Sequence, residues 1–134
     1  VYLLLKMQDE IIAVYEKEEE INKIREKLKE LSYENLVKGK HFEYSVLEKG
    51  TDINLIKEIF KEFGRIKIII KRKHRKNNKL TYDFYYELKD GTYILYAIAL
   101  DEQKPILINA FHVDRSLKRF KQWIISAYKD KLIS

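Results

Sequence analysis

Apolar residues at Met7, Val14, Ile21 and Leu28 recur every seven positions, Ile24 and Leu31 fall on the interleaved track, and Glu and Lys fill the other faces. That period is close to the one a coiled coil uses, and it predicts a helix over 7–31. Two roles are open to it: a helix laid on the chain's own core, or a homodimer or partner seam burying Val14, Ile21 and Leu28. Residues 41–49 read as a short helix ending at Gly50. Thr51 or Asp52 then caps another, striped by Ile53, Ile56, Ile59, Phe60 and Phe63 and ended by Gly64.

Beyond Gly64 the period drops from 3.6 to 2, and β-branched and aromatic residues dominate 66–74, 80–88, 92–100 and 106–113. Asn77-Asn78 and Asp90-Gly91 are hairpin turn signals and 101–105 is a longer turn, so the four strands are expected to form an antiparallel meander. A last helix over 115–133 presents Leu117, Phe120, Trp123, Ile124, Tyr128 and Leu132 as its apolar stripe. The expected fold class is α+β: N-terminal helices, a four-stranded antiparallel meander and a C-terminal helix. One domain is expected, with 1–36 a long-helix appendage on a core at 40–134; 134 residues, 46% apolar, suffice for one modest interior.

No run of about 18 apolar residues occurs, and the opening apolar stretch stops at Lys6 without a basic leader, so neither a membrane span nor a secretory signal is expected. The absence of Cys removes disulfides, thiolate metal sites and cysteine nucleophiles. It fits a cytoplasmic location. With three His, no metal site is expected, and no motif calls for a cofactor.

The net charge of +6 is unevenly placed: residues 1–64 carry 11 Lys/Arg against 14 Asp/Glu, and residues 65–134 carry 16 against 7. Eight of those cations lie within 65–79, a stretch with no acid. In strict alternation Lys67, Lys71 and Lys73 face solvent and Ile66, Ile68 and Ile70 face the core, with Thr81, Asp83, Tyr85 and Glu87 sharing one face of the next strand. An open face of lysines and a tyrosine suits phosphates and stacked bases, which makes RNA the expected partner. Candidate RNA contacts are Lys67, Lys71, Arg72, Lys73, His74, Arg75, Lys76, Tyr85, Lys118 and Arg119. Against this stands a plainer role, since edge lysines also prevent sheets from aggregating.

Asp83 with Glu87-Leu88-Lys89 weakly resembles the metal-dependent PD-(D/E)xK nucleases, but all three residues fall on one strand instead of a hairpin, and an exposed polar face explains them better. No HExxH, phosphate loop or nucleophile elbow occurs. What remains is acid–base chemistry on RNA, in which the 2′-hydroxyl attacks its own phosphodiester while His moves protons and Lys or Arg meets the developing charge. His112, at a strand end before the basic start of the last helix, and His41, after Lys38-Gly-Lys40, are the candidate proton carriers. Structural roles for both stay open.

The element order, His41 within HFEYSVLEKGTDINLIKEIF, the basic strand IKIIIKRKHRK and the segment ILINAFHVDRS together resemble the superfamily uniting barnase, EndoU, the colicin anticodon nucleases and RelE-like toxins. The resemblance covers about residues 40–130 and is nearest to phage-borne and toxin-associated members. It implies a metal-independent endoribonuclease leaving a 2′,3′-cyclic phosphate, held in check by an antitoxin or immunity protein. Carried over by position, it puts acid–base roles on His41 and His112, cationic roles on Lys71 and Arg72, and phosphate contacts on Arg115 and Ser116. Asn109 stands where those proteins tend to carry a hydroxyl residue. A noncatalytic RNA-binding or partner-interaction module is the alternative.

Overall fold

A computed structural model describes residues 9–40 and 42–133. The expected strands form as β3 (Ile66–His74), β4 (Leu80–Glu87), β5 (Tyr93–Ala99) and β6 (Ile106–Val113), each antiparallel to the next. Two further strands extend them: β1 (Asp9–Tyr15) pairs antiparallel with β3, and the two-residue β2 (Val37–Lys38) pairs parallel with β6. The sheet is therefore six-stranded and mixed, in the order β1-β3-β4-β5-β6-β2. The α+β class stands; the four-stranded meander is its centre.

β1 replaces the first half of the expected long helix. Ile11-Ile12-Ala13-Val14-Tyr15 is rich in strand-favouring Ile, Val and Tyr, and a bulge between Ile11 and Ala13 puts Ile11 and Val14 on the same core despite their odd spacing. Only Glu18–Leu28 is helical, as α1, with three glutamates in its first turn. Val14, Ile21 and Leu28 are buried in the chain's own interior, so the three positions read as a seam are core residues. Residues 9–28 are accordingly not a helical appendage: they supply an edge strand and a helix that packs on β3.

α2 (Phe42–Glu48) and α3 (Ile53–Phe60) form as expected. Gly50, at φ 68°, turns the chain between them through the left-handed region, and Asp52 caps α3 by accepting from the Asn54 amide at 2.9 Å. A 3₁₀ turn at Phe63–Arg65 leads into β3. The last helix, α4 (Leu117–Ala127), stops short of the expected span, and a 3₁₀ turn at Lys129–Lys131 follows. Leu132 then bridges to Val14, and the Ile133 amide donates to the Val14 carbonyl at 3.0 Å, covering part of the β1 edge.

Both faces of the sheet are covered. Phe84, Tyr86, Ile94, Tyr96 and Ile98 meet α1, α2 and α3, while Tyr85, Tyr93, Leu95 and Phe111 meet α4. The expected open face of lysines and a tyrosine therefore does not exist. A bulge at Lys67 causes part of the difference: Ile66 and Ile69 enter the first core and Ile68 and Ile70 the second, so the isoleucines feed both faces. Among the described residues, no helix is long and apolar enough to cross a membrane.

Candidate functional site

The 65–79 cations do not form one surface. Arg72 is held between Asp83 and Asp9: its Nε and Nη2 donate to the two Asp83 oxygens at 2.6 and 2.9 Å, and its Nη1 donates to Asp9. Asp83 is fully buried and Asp9 nearly so. Burial pushes the Asp83 carboxyl up against the pull of Arg72, while the two carboxylates outweigh burial at Arg72 and hold its guanidinium charged. Arg72 thus ties β1, β3 and β4 together and is not available to a phosphate. Asp83 is likewise withdrawn from any E-x-K cluster, and it is not part of an exposed polar face either.

Tyr85 is 1% exposed and stacks on Phe120 with ring centroids 4.7 Å apart, so it offers no platform to a base. Lys71 lies 5.4 Å over the Tyr82 ring, Lys73 pairs with Glu10 at 3.6 Å, and Lys67 is exposed with its ammonium 3.4 Å from the Gly64 carbonyl. The His74 ring is used locally, its Nδ1 accepting from the Lys76 amide at 3.2 Å. Arg75, Lys76 and Lys79 remain exposed at the tip of the β3–β4 hairpin. That tip lies at the start of β4. The basic part of α4 begins beyond its other end, where the Leu117 amide donates to the Gly91 carbonyl at 2.9 Å. Two basic clusters result, one at each end of β4, where the sequence suggested a single one.

His112 lies near the end of β6, opposite Ile94, on the face that meets α2 and α3. Its Nε2 is 2.8 Å from Thr92 Oγ1, which is 2.6 Å from an Asp90 oxygen. A hydroxyl has one proton, and a contact of 2.6 Å to a carboxylate requires it there, so Thr92 accepts from His112 Nε2–H. This fixes the tautomer and leaves the lone pair on Nδ1. The Thr92 hydroxyl and amide hold the Asp90 carboxyl below its usual range, with a smaller contribution from the charge of His112.

Among the described residues, β6 has no strand partner beyond Leu107 on its outer side, because β2 covers only Ile106 and Leu107. Chain from the end of α2 fills that edge. The His112 amide donates to Thr51 Oγ1 at 3.1 Å, and the Lys49 ammonium sits 4.1 Å over the ring of Phe111. Burial lowers the Lys49 pKa. Thr51 also faces a shallow cavity of about 390 Å³ shared with Glu43, Leu47 and Asp52. The sequence offered only His112 here; Lys49, Thr51, Asp90 and Thr92 come from separate positions that only the fold unites. The one signal available was Asp90-Gly91-Thr92, an Asp two residues before a Thr, which is the spacing of a side-chain-stabilised turn.

His41 lies outside the described residues. Its neighbours Gly39 and Phe42 sit at the other end of α2, where the Gly39 amide donates to the Leu107 carbonyl at 2.8 Å, five residues along β6 from His112. Ser116 serves as the N-cap of α4, its Oγ accepting from the Arg119 amide at 3.2 Å. Arg115 lines a second cavity of about 360 Å³ with Ser116, Arg119, Phe120 and Trp123, on the α4 side of the sheet. Lys118 is exposed nearby. The expected catalytic positions are therefore not drawn into one cluster: His112 belongs to one face, Arg115 and Ser116 to the other. Among the described residues, no group of three His, Asp or Glu is placed to hold a metal ion. No family model matches the chain, and no curated protein or solved structure matches it.

Proposed function

We propose that the chain acts on RNA as a metal-independent endoribonuclease in which His112 is the proton carrier. The observation that carries this reading is the Asp90–Thr92–His112 chain of hydrogen bonds, which orients a half-buried imidazole near the end of β6 and fixes its tautomer. In the proposed reaction Nδ1 takes the proton of a 2′-hydroxyl, the 2′-oxygen forms a bond to phosphorus, and the bond from phosphorus to the 5′-oxygen breaks. The departing oxygen takes a proton from a second acid, a role the sequence offers to His41. Imidazolium formed at His112 is stabilised through Thr92 by Asp90.

The test is cleavage of a mixed RNA substrate in EDTA under single-turnover conditions, with the product end identified. A cyclic phosphate is expected, and His112→Ala is expected to lose about 100-fold or more in rate. Thr92→Val keeps the imidazole but loses its orientation; it is expected to lose less in rate, with RNA affinity nearly unchanged. Full activity in His112→Ala would overturn the assignment.

A noncatalytic RNA-binding module is the second reading, favoured by the separation of His112 from Arg115 and Ser116 on opposite faces of the sheet. Tight RNA binding with no cleavage of any RNA would select it.

A further inference from the structure

Four of the five large apolar side chains left exposed among the described residues lie on α2 and on the β2–β6 edge it packs against: Tyr44, Leu47, Val37 and Ile108. Tyr44 is 69% exposed and Leu47 79%, although buried Phe42 and Val46 already anchor the helix. Apolar residues on both sides of a helix are the pattern of one that is covered on both sides. Tyr44 and Leu47 are three residues apart and so adjoin on the outward face. Beside Leu47 opens the cavity of about 390 Å³, lined by buried Val46 and half-buried Ile53 and flanked by exposed Glu43 and Asp52. Exposed Lys40 precedes the helix, while Glu48 and Asp52 lie at its far end. The other two lysines nearby are engaged within the chain: Lys38 donates to the Tyr33 and Leu36 carbonyls, and Lys49 sits 4.1 Å over the Phe111 ring.

A protruding phenol thus stands beside a cavity with apolar walls and two carboxylates, the surroundings that suit a phenol. A cation and two carboxylates stand at opposite ends of the same short helix. Such a face complements itself when a two-fold axis reverses its direction. We propose that a second copy of this chain docks here, α2 antiparallel to α2, with Tyr44 of each copy in the cavity of the other. The Tyr44 hydroxyl then donates to Glu43 or Asp52 of the facing copy, and Lys40 passes the facing Glu48. Tyr44 and Leu47 form the centre of the contact and the charges its rim. The seam expected over 7–31 has no part in it, because Val14, Ile21 and Leu28 are spent on the chain's own core. Nor does the contact rest on the RNA reading above.

Sedimentation velocity of the purified chain over a range of concentrations, at about 0.1 M salt, tests the proposal. An equilibrium between monomer and dimer is expected, with nothing larger, because a two-fold contact closes on itself. Leu47→Glu and Tyr44→Ala should each weaken the dimer about 30-fold or more, the effect of removing a residue from the centre of an interface. Both positions are exposed in a single copy, so the circular dichroism of each variant should match wild type. Lys40→Glu should weaken the dimer about two- to fivefold, the size of an exposed ion pair, and adding Glu48→Lys should restore it. A chain that stays monomeric up to about 0.3 mM overturns the proposal and leaves this face to a different protein. A dimer untouched by Leu47→Glu and Tyr44→Ala overturns it as well, since self-association then uses another surface. A Lys40→Glu/Glu48→Lys chain that dimerises no better than Lys40→Glu alone overturns the antiparallel arrangement.

Discussion

Asp90 is an exposed carboxylate whose titration reports on a histidine it reaches through one hydroxyl. Because Thr92 donates to it through both hydroxyl and amide, its folded pKa lies below the ordinary value. The stability it contributes is therefore present above about pH 3.9, the unfolded value, and is lost as pH falls through the depressed folded one. Thr92→Val removes the larger of the two bonds and should return Asp90 toward about 3.9 in a carboxyl-detected NMR titration. The same variant should free the His112 ring, seen as loss of a single fixed tautomer in its nitrogen shifts. An unmoved Asp90 would mean that the hydroxyl points elsewhere and that Nε2 need not be the protonated nitrogen. The sequence made His112 and the Asp90-Gly91 turn visible separately. It did not connect them, because the connection depends on the cross-strand register that sets His112 opposite Ile94.

Among the elements, β1 was the least legible and Arg72 the most misleading. Val14, Ile21 and Leu28 do share a period of seven, but Val14 reaches the core from a strand and the other two from α1, so the spacing is a coincidence of two elements. The strand-favouring run 11–15 was the competing signal, and the bulge at Ile12 masked its alternation. Arg72 looked like one more cation of a basic strand because its partners lie 11 and 63 residues away. Arg72→Met would strand two buried carboxylates and is expected to cost about 3–5 kcal/mol in urea denaturation. Replacing Arg72, Asp83 and Asp9 together by apolar residues of similar volume should recover most of that loss. If the single variant is as stable as wild type, the carboxylates are not held by this network. Where turns were explicit and both neighbours local, as in the β3–β6 meander and the Asp52 cap, the sequence sufficed.

Across the whole molecule, the positive excess of the second half is divided by β4. Its eight residues at about 3.4 Å each separate the Arg75–Lys79 tip from the start of α4 by about 27 Å. That exceeds the Debye length of about 10 Å at 0.1 M salt, so the two clusters do not reinforce each other's field at ordinary ionic strength. Under the proposed RNA reading, an oligonucleotide too short to span them should engage the two clusters independently. Charge reversal of Arg75 and Lys76 is then expected to leave the affinity of a four-nucleotide probe within about twofold, because a distant, screened contact is nearly independent. A probe long enough to reach both ends should lose affinity with either pair reversed, and the two losses should add within about 0.5 kcal/mol in a double-mutant cycle. Fluorescence anisotropy at about 0.1 M salt measures both. A short probe whose affinity falls sharply when the hairpin tip is reversed would show that the two clusters are not independent.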